Sequence, residues 1–155
     1  MDFEEYEFNY KDYEQKCNEI RMKNEIYLEE FEKDLTKSGL KENTIKSHLN
    51  NVNFYINNFL LREEAADMVT GTGAFYLNNF LGIFIIRKCM WSTPATIKSN
   101  VASIKKFYKS MFEKGHIREE NYNGLLYTIK EDMNTWLDDC EAYNDSSLPN
   151  PFSPF

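Results

Sequence analysis

Four lysines in the second half of the chain carry charges that could bind phosphate groups: Lys98, Lys105, Lys106 and Lys109. Three of them are separated by seven and then four residues, which places them on one face of an α-helix. The apolar residues of the same stretch occupy other helical positions, and they are Ile97, Val101, Ile104, Tyr108 and Met111. Such a helix can pack its apolar face on a protein core and place its ammonium groups on the phosphates of a duplex.

The charge of the chain is unevenly distributed. The net charge is −7, which by itself argues against a nucleic-acid partner. Residues 87–118, however, carry eight basic groups and one acidic group, whereas residues 1–34 and 119–155 each have a net charge of −7. Two interpretations follow: either the basic segment forms a phosphate-binding surface, or its lysines are the solvated charges that any acidic protein carries somewhere.

The lysine-bearing stretch repeats an earlier stretch of the same chain. One copy begins at Thr44 and the other at Thr96, and both open with Thr-Ile-Lys-Ser. Apolar residues stay in register without a gap, at spacings of four, three, three and four, in the pairs Ile45/Ile97, Leu49/Val101, Val52/Ile104, Tyr55/Phe107 and Phe59/Met111. This spacing is typical of amphipathic helices and predicts equivalent helices over residues 44–60 and 96–112.

Helical periodicity and helix-end signals predict an all-α fold. Gly39 and Gly115 are suited to end helices, and Ser92-Thr93-Pro94 is suited to begin one. The predicted helices cover about residues 1–36, 42–61, 74–88, 94–114 and 119–143. We therefore expect a bundle of five or six helices built on two helical hairpins, forming a single domain over residues 1–143 and followed by a Pro-rich tail over residues 144–155.

Two stretches resemble a known family. The sequence Gly-Leu-Lys-Glu-Asn-Thr-Ile-Lys-Ser-His-Leu at positions 39–49 is similar to a signature of the core-binding (N-terminal SAM-like) domain of tyrosine recombinases, the phage-integrase family. Residues 92–98 with Ile104, Phe107, Tyr108 and 115–117 resemble the second helical hairpin of that domain, so the resemblance covers about residues 26–124. It implies an orthogonal helical bundle whose two equivalent helices begin in the major groove of DNA.

Transferred by motif, the resemblance implies a set of DNA contacts at the two helix starts. On the first helix they are Asn43, Thr44, Ser47 and His48, and on the second Ala95, Thr96, Lys98 and Ser99, while Lys41 and Lys46 would add charge. Hydroxyls and backbone amides at a helix start are good phosphate ligands. Only Asn43 is suited to reading a base, adenine, so we expect weak sequence specificity. The alternative is that these residues only cap their helices.

The chain lacks the residues that catalysis in this family requires. A tyrosine recombinase cleaves DNA with a Tyr nucleophile assisted by Arg, His and Lys from a second domain, yet the 37 residues after Arg118 contain one Lys and no Arg or His. His48 and His116 are the only histidines, and they fall on different predicted elements without partners at ligand spacing, so we expect no metal, no cofactor and no enzyme activity.

Other features bear on the compartment. The three cysteines, Cys17, Cys89 and Cys140, are odd in number and widely spaced, which favours a reducing environment. The acidic N-terminal residues form no apolar leader, and the longest apolar run, residues 75–86, is too short to span a bilayer. We expect a cytoplasmic protein that binds no membrane.

These patterns predict a non-catalytic DNA-binding module, accessory to DNA recombination or integration on a mobile element. Its expected partners are double-stranded DNA and a recombinase or another protein, without a small-molecule substrate. One alternative is a protein–protein adaptor of the same fold that has lost DNA binding and uses its acidic ends and the Phe-terminated tail. Another is a regulator that occupies the place of a full recombinase's binding domain.

Overall fold

Five continuous stretches of helix make up most of the chain in the computed structural model, which describes residues 2–89 and 92–145. The predicted Pro-rich tail lies outside these residues from position 146 onward. The helices are α1 (Phe3–Lys37), α2 (Glu42–Asn53) with a π-helical continuation (Phe54–Phe59), α3 (Ala74–Asn79) with a π-helical segment (Phe80–Phe84) leading into α4 (Ile85–Lys88), α5 (Pro94–Glu113) and α6 (Glu119–Asn144). A 3₁₀ turn covers Thr70–Thr72.

The prediction of an all-α fold is confirmed, since no strand occurs in these two ranges. The observed helix boundaries agree with the predicted ones to within two residues. None of the helices described is both long enough and apolar enough to cross a membrane. Contacts group the chain into two compact units, Met1–Gly71 and Thr72–Phe155.

The first unit is a hairpin in which α1 packs against α2 and its π-helical continuation. Gly39 makes the reversal, because its φ of +79° is readily adopted only by glycine, and its N–H donates to the Thr36 carbonyl at 3.0 Å. The buried apolar residues of this unit include Cys17, Phe31, Leu35, Val52, Tyr55, Ile56 and Phe59. Burial of these apolar side chains drives the hairpin together.

The π-helical continuation of α2 is joined to a buried amide of α1. Leu60 N–H donates to the Tyr55 carbonyl five residues earlier, at 3.0 Å, which is the hydrogen-bond pattern of a π-helix. Asn24 is 1% exposed, and its Nδ2 donates to the Ile56 carbonyl at 3.2 Å and to Asn57 Oδ1 at 2.7 Å. The side-chain amide of Asn24 therefore donates hydrogen bonds to two residues of the π-helical continuation.

The second unit is built around α6, which contacts α3, the following π-helical segment, α4 and α5. Trp136 of α6 is 2% exposed. Its indole ring lies against Gly82, where an added Cβ would stand 2.8 Å from Trp136 Cδ1. Glycine is thus the residue that lets the π-helical segment approach α6 this closely.

The two repeated stretches are both helical, as predicted, but they differ in their second halves. Residues 96–112 are α-helical throughout, whereas the first copy changes to π-helix at Phe54. The apolar residues of the first copy become less exposed from its start to its end. Ile45 and Leu49 are half-buried, whereas Val52 and Tyr55 are fully buried. In α5 the corresponding residues, Ile97, Val101, Ile104 and Phe107, are all buried.

Candidate nucleic-acid interface

The start of α5 is fixed by a capping box. Thr93 adopts an extended backbone, its N–H donates to Thr96 Oγ1 at 3.2 Å, and Thr96 N–H donates to Thr93 Oγ1 at 3.4 Å. Pro94 occupies the first helical position, where its missing N–H costs no intrahelical hydrogen bond. The Ser92-Thr93-Pro94 sequence therefore defines where the helix begins.

The inner face of α5 is mostly apolar, with Asn100, Ser103 and Ser110 as its buried polar residues, and the helix packs against α6. Its side chains Ile97, Ile104, Phe107, Tyr108 and Met111 are each 0% exposed. Near the end of the helix the ring of Phe112 stacks on Tyr122 of α6, with centroids 5.3 Å apart and ring planes at 13°. This packing fixes the rotation of α5 about its axis, so the opposite side of the helix must face solvent.

That outer face carries the four lysines, which we call the lysine face: Lys98, Lys105, Lys106 and Lys109. All four are exposed, and Ser99 and Ala102 between them are exposed as well. Among residues 2–89 and 92–145, no carboxylate forms an ion pair with any of the four ammonium groups. From Lys98 to Lys109 the helix rises about 16 Å, comparable to five base-pair steps of duplex axis.

The predicted site residues at the start of α2 belong to the first unit. Lys41 is the N-cap residue and makes no side-chain capping bond, and Asn43, Thr44 and Ser47 are exposed. The backbone N–H groups of the first turn point outward, as at any helix start. His48 is half-buried, so its ring is only partly accessible from solvent.

Two predicted DNA ligands make contacts that the motif comparison did not anticipate. Lys46 Nζ lies 3.5 Å from Glu42 Oε1, an exposed pair that screens part of the lysine charge. The Thr96 hydroxyl is engaged in the capping box, which agrees with the interpretation that this residue caps its helix. Both contacts have a sequence signal: a Glu–Lys pair four residues apart, and threonines three residues apart around a helix start.

Sequence reasoning also left basic residues of the second unit out of the site. Arg87 and Lys88 are exposed in the last turn of α4, and they belong to the same basic segment as the lysine face. Cations at this position also interact favourably with the negative end of a helix dipole. The sequence could have indicated these two residues, because they belong to the basic segment of residues 87–118.

The three cysteines are at least partly shielded from solvent: Cys17 and Cys140 are buried and Cys89 is half-buried. Burial raises the pKa of the Cys140 and Cys89 thiols, and this favours the unreactive protonated form. Within the described ranges no group of three or more His, Cys, Asp or Glu side chains is arranged to hold a metal ion. The second unit also has a cavity of about 340 Å³, in which Glu120 is the one carboxylate among the lining residues. The others are Thr72, Gly73, Ala74, Asn121, Gly124, Tyr127 and Thr128.

No protein-family model, curated protein or solved structure matches this chain significantly.

Proposed function

We propose that this chain is a non-catalytic module that binds double-stranded DNA through the lysine face of α5. The observation that carries the proposal is the exposure of four lysines on one side of a helix whose other side is fully packed. Because these ammonium groups have no carboxylate partner in the part of the chain that the structure describes, their charge is available to phosphates. The start of α2, in the first unit, offers backbone amides and hydroxyls suited to a phosphate contact of its own.

The contacts proposed are mainly with phosphates rather than with bases. Lysine binds phosphate as a point charge and carries no planar fork for reading guanine. Asn43, exposed in the first turn of α2, is the residue best suited to an adenine edge. Weak sequence specificity is therefore part of the proposal, and so is low affinity at physiological salt, because the net charge of −7 repels DNA outside the lysine face.

The resemblance to the core-binding domain of tyrosine recombinases supports a more specific role. We propose that the fold belongs to that orthogonal-bundle type, and that the chain assists recombination or integration without cleaving DNA itself. The repeated Thr-Ile-Lys-Ser helix starts support this role, since they match the residues that face DNA in that family. A full recombinase acting at the same DNA is the protein partner that this role calls for.

Charge reversal on the lysine face tests the proposal. In the Lys105→Glu/Lys109→Glu variant we expect duplex affinity to fall at least tenfold, measured by fluorescence anisotropy at low salt, because each change removes one phosphate contact and adds a repulsion. The matched control is Lys23→Glu/Lys33→Glu, which makes the same change in net charge at two exposed positions of α1. Equal losses in the two variants would show that only net charge matters, and the proposed surface would then be wrong.

A further inference from the structure

The first three turns of α1 expose a strip of aromatic side chains. Phe3, Tyr6 and Tyr10 are 74%, 60% and 56% exposed, and their spacing of three and four residues places them along one face of the helix. Together with Glu7 and Lys11 they line a shallow groove of about 260 Å³. We call Phe3, Tyr6 and Tyr10 the aromatic strip.

The aromatic strip continues the face of α1 that packs in the first unit. At 100° per residue, it points within roughly 40° of the direction shared by Cys17, Phe31 and Leu35. Those three residues are 2%, 1% and 4% exposed. The same helical face is thus covered along most of α1 and uncovered at its beginning.

The beginning of α1 is uncovered because α1 is longer than the helix that packs against it. α1 has 35 residues, whereas α2 and its π-helical continuation have 12 and 6. The Tyr13 hydroxyl donates to the Leu61 carbonyl, just beyond the end of the π-helix, so the packed part of the hairpin ends near Tyr13. From residue 2 to residue 12, every side chain that the structure describes is exposed. Helical turns that bury nothing are marginally stable by themselves, and a packing partner would stabilise them.

The surroundings of the strip are strongly acidic. Residues 2–14 contain six carboxylates and one lysine. Helix capping accounts for part of this charge, since Asp2 Oδ1 accepts a hydrogen bond from Glu5 N–H at 2.8 Å and Glu4 and Glu5 lie in the first turn. Asp12 forms an ion pair with Lys16 at 3.0 Å. Glu7 and Glu14 lie beyond the first turn, so a helix dipole does not explain them.

We propose that the aromatic strip is a docking surface for a basic amphipathic helix of a partner protein. A helix fits because side chains spaced by three and four residues form ridges that pack into the grooves of another helix, as α2 does further along the same face. The partner's flanking residues must be basic to match the carboxylates around the strip. A second copy of this chain is disfavoured because pairing two strips would bring together the carboxylates that flank each strip on the helix, Glu7 and Glu14.

This inference stands independently of DNA binding, because none of the three strip residues is among the proposed DNA contacts on α2 and α5. The probe that tests it is a labelled synthetic peptide of about 18 residues, made of leucine and lysine with the leucines in a helical stripe. A peptide of the same composition, scrambled so that the stripe is lost, measures charge attraction alone. We expect the full chain to bind the striped peptide at least tenfold more tightly than the scrambled one.

Substitution of the strip separates docking from general attraction. We expect Tyr6→Gln/Tyr10→Gln to weaken binding of the striped peptide at least tenfold, since buried tyrosines contribute strongly to interfaces. The matched control is Met22→Gln/Ile26→Gln, because these α1 side chains are also 69% and 56% exposed but point roughly 150° away from the strip. Glutamine forms helices well, and far-ultraviolet circular dichroism verifies that both variants stay folded.

Several outcomes would overturn the proposal. They are absence of binding to the striped peptide, equal binding of the scrambled peptide, and equal losses in the two variants. Sedimentation equilibrium supplies a further one: self-association of the full chain that disappears in Tyr6→Gln/Tyr10→Gln would identify a second copy as the occupant and exclude a basic helix.

Discussion

The indole nitrogen of Trp136 donates a hydrogen bond to Asn78 Oδ1 at 2.9 Å. The amide nitrogen of Asn78 in turn donates to Asp132 Oδ2 at 3.1 Å and to the Ala74 carbonyl at 3.0 Å. This chain of hydrogen bonds joins α3 to α6 on one side of the indole ring, while Gly82 lies against the ring itself. The position of Trp136 therefore depends on both a polar partner and a residue without a side chain.

The contact between Gly82 and Trp136 predicts a destabilising substitution. Gly82→Ala would place a Cβ 2.8 Å from Trp136 Cδ1, so the indole ring or the π-helical segment must shift. We expect the free energy of unfolding to fall by about 1–3 kcal/mol, as in other overpacked cores, measured by urea denaturation. Gly124→Ala is the control, since a Cβ there meets nothing within 4 Å, and it should raise stability by about 0.5–1 kcal/mol. A neutral Gly82→Ala variant would contradict this packing.

The buried amide of Asn24 predicts a second loss of stability. Asn24→Ala removes the donor to the Ile56 carbonyl and leaves that carbonyl buried without it. We expect unfolding to require about 1–3 kcal/mol less, again measured in urea. Asn18→Ala changes an exposed asparagine of the same helix and should alter stability by less than about 0.5 kcal/mol. Similar small effects in both variants would mean that the amide does not support the π-helical turns.

Periodicity was sufficient to predict the helices, because each has a long apolar stripe and an end signal such as Gly39 or Thr93-Pro94. The two π-helical segments could not be predicted in this way. Their hydrogen bonds span five residues and leave no distinct hydrophobic period. They also lie beside contacts that join residues far apart in sequence, the amide of Asn24 for one and the ring of Trp136 for the other.

The candidate site was predictable to a similar extent. Spacing alone placed the four lysines of α5 opposite its apolar stripe, since a helix has few ways to separate these residues. The engagement of the Thr96 hydroxyl in a capping box and of Lys46 with Glu42 depends on side-chain rotamers, which the motif comparison ignored. Whether DNA is bound, and the relation to recombinases, stay predictions.

Absence of catalysis is a further prediction. With a nicked duplex that traps covalent intermediates, we expect no phosphotyrosyl adduct, because the two histidines of the sequence, His48 and His116, lie apart, in α2 and in the turn that follows α5. Denaturing electrophoresis of labelled DNA measures the adduct, with a complete tyrosine recombinase as the positive control. A retarded band that disappears when one tyrosine is changed to phenylalanine would contradict the non-catalytic assignment.

The salt dependence of duplex binding tests the central proposal most directly. Neutralisation of phosphates releases counterions, so log affinity falls linearly with log salt by about 0.9 per phosphate contacted. With about four to six cations available on the two helices, we predict a slope of roughly −3 to −5 for the full chain, measured by fluorescence anisotropy on a generic duplex. Absence of measurable binding at about 50 mM salt, or an affinity that does not change with salt, would contradict the assignment of DNA binding to the lysine face.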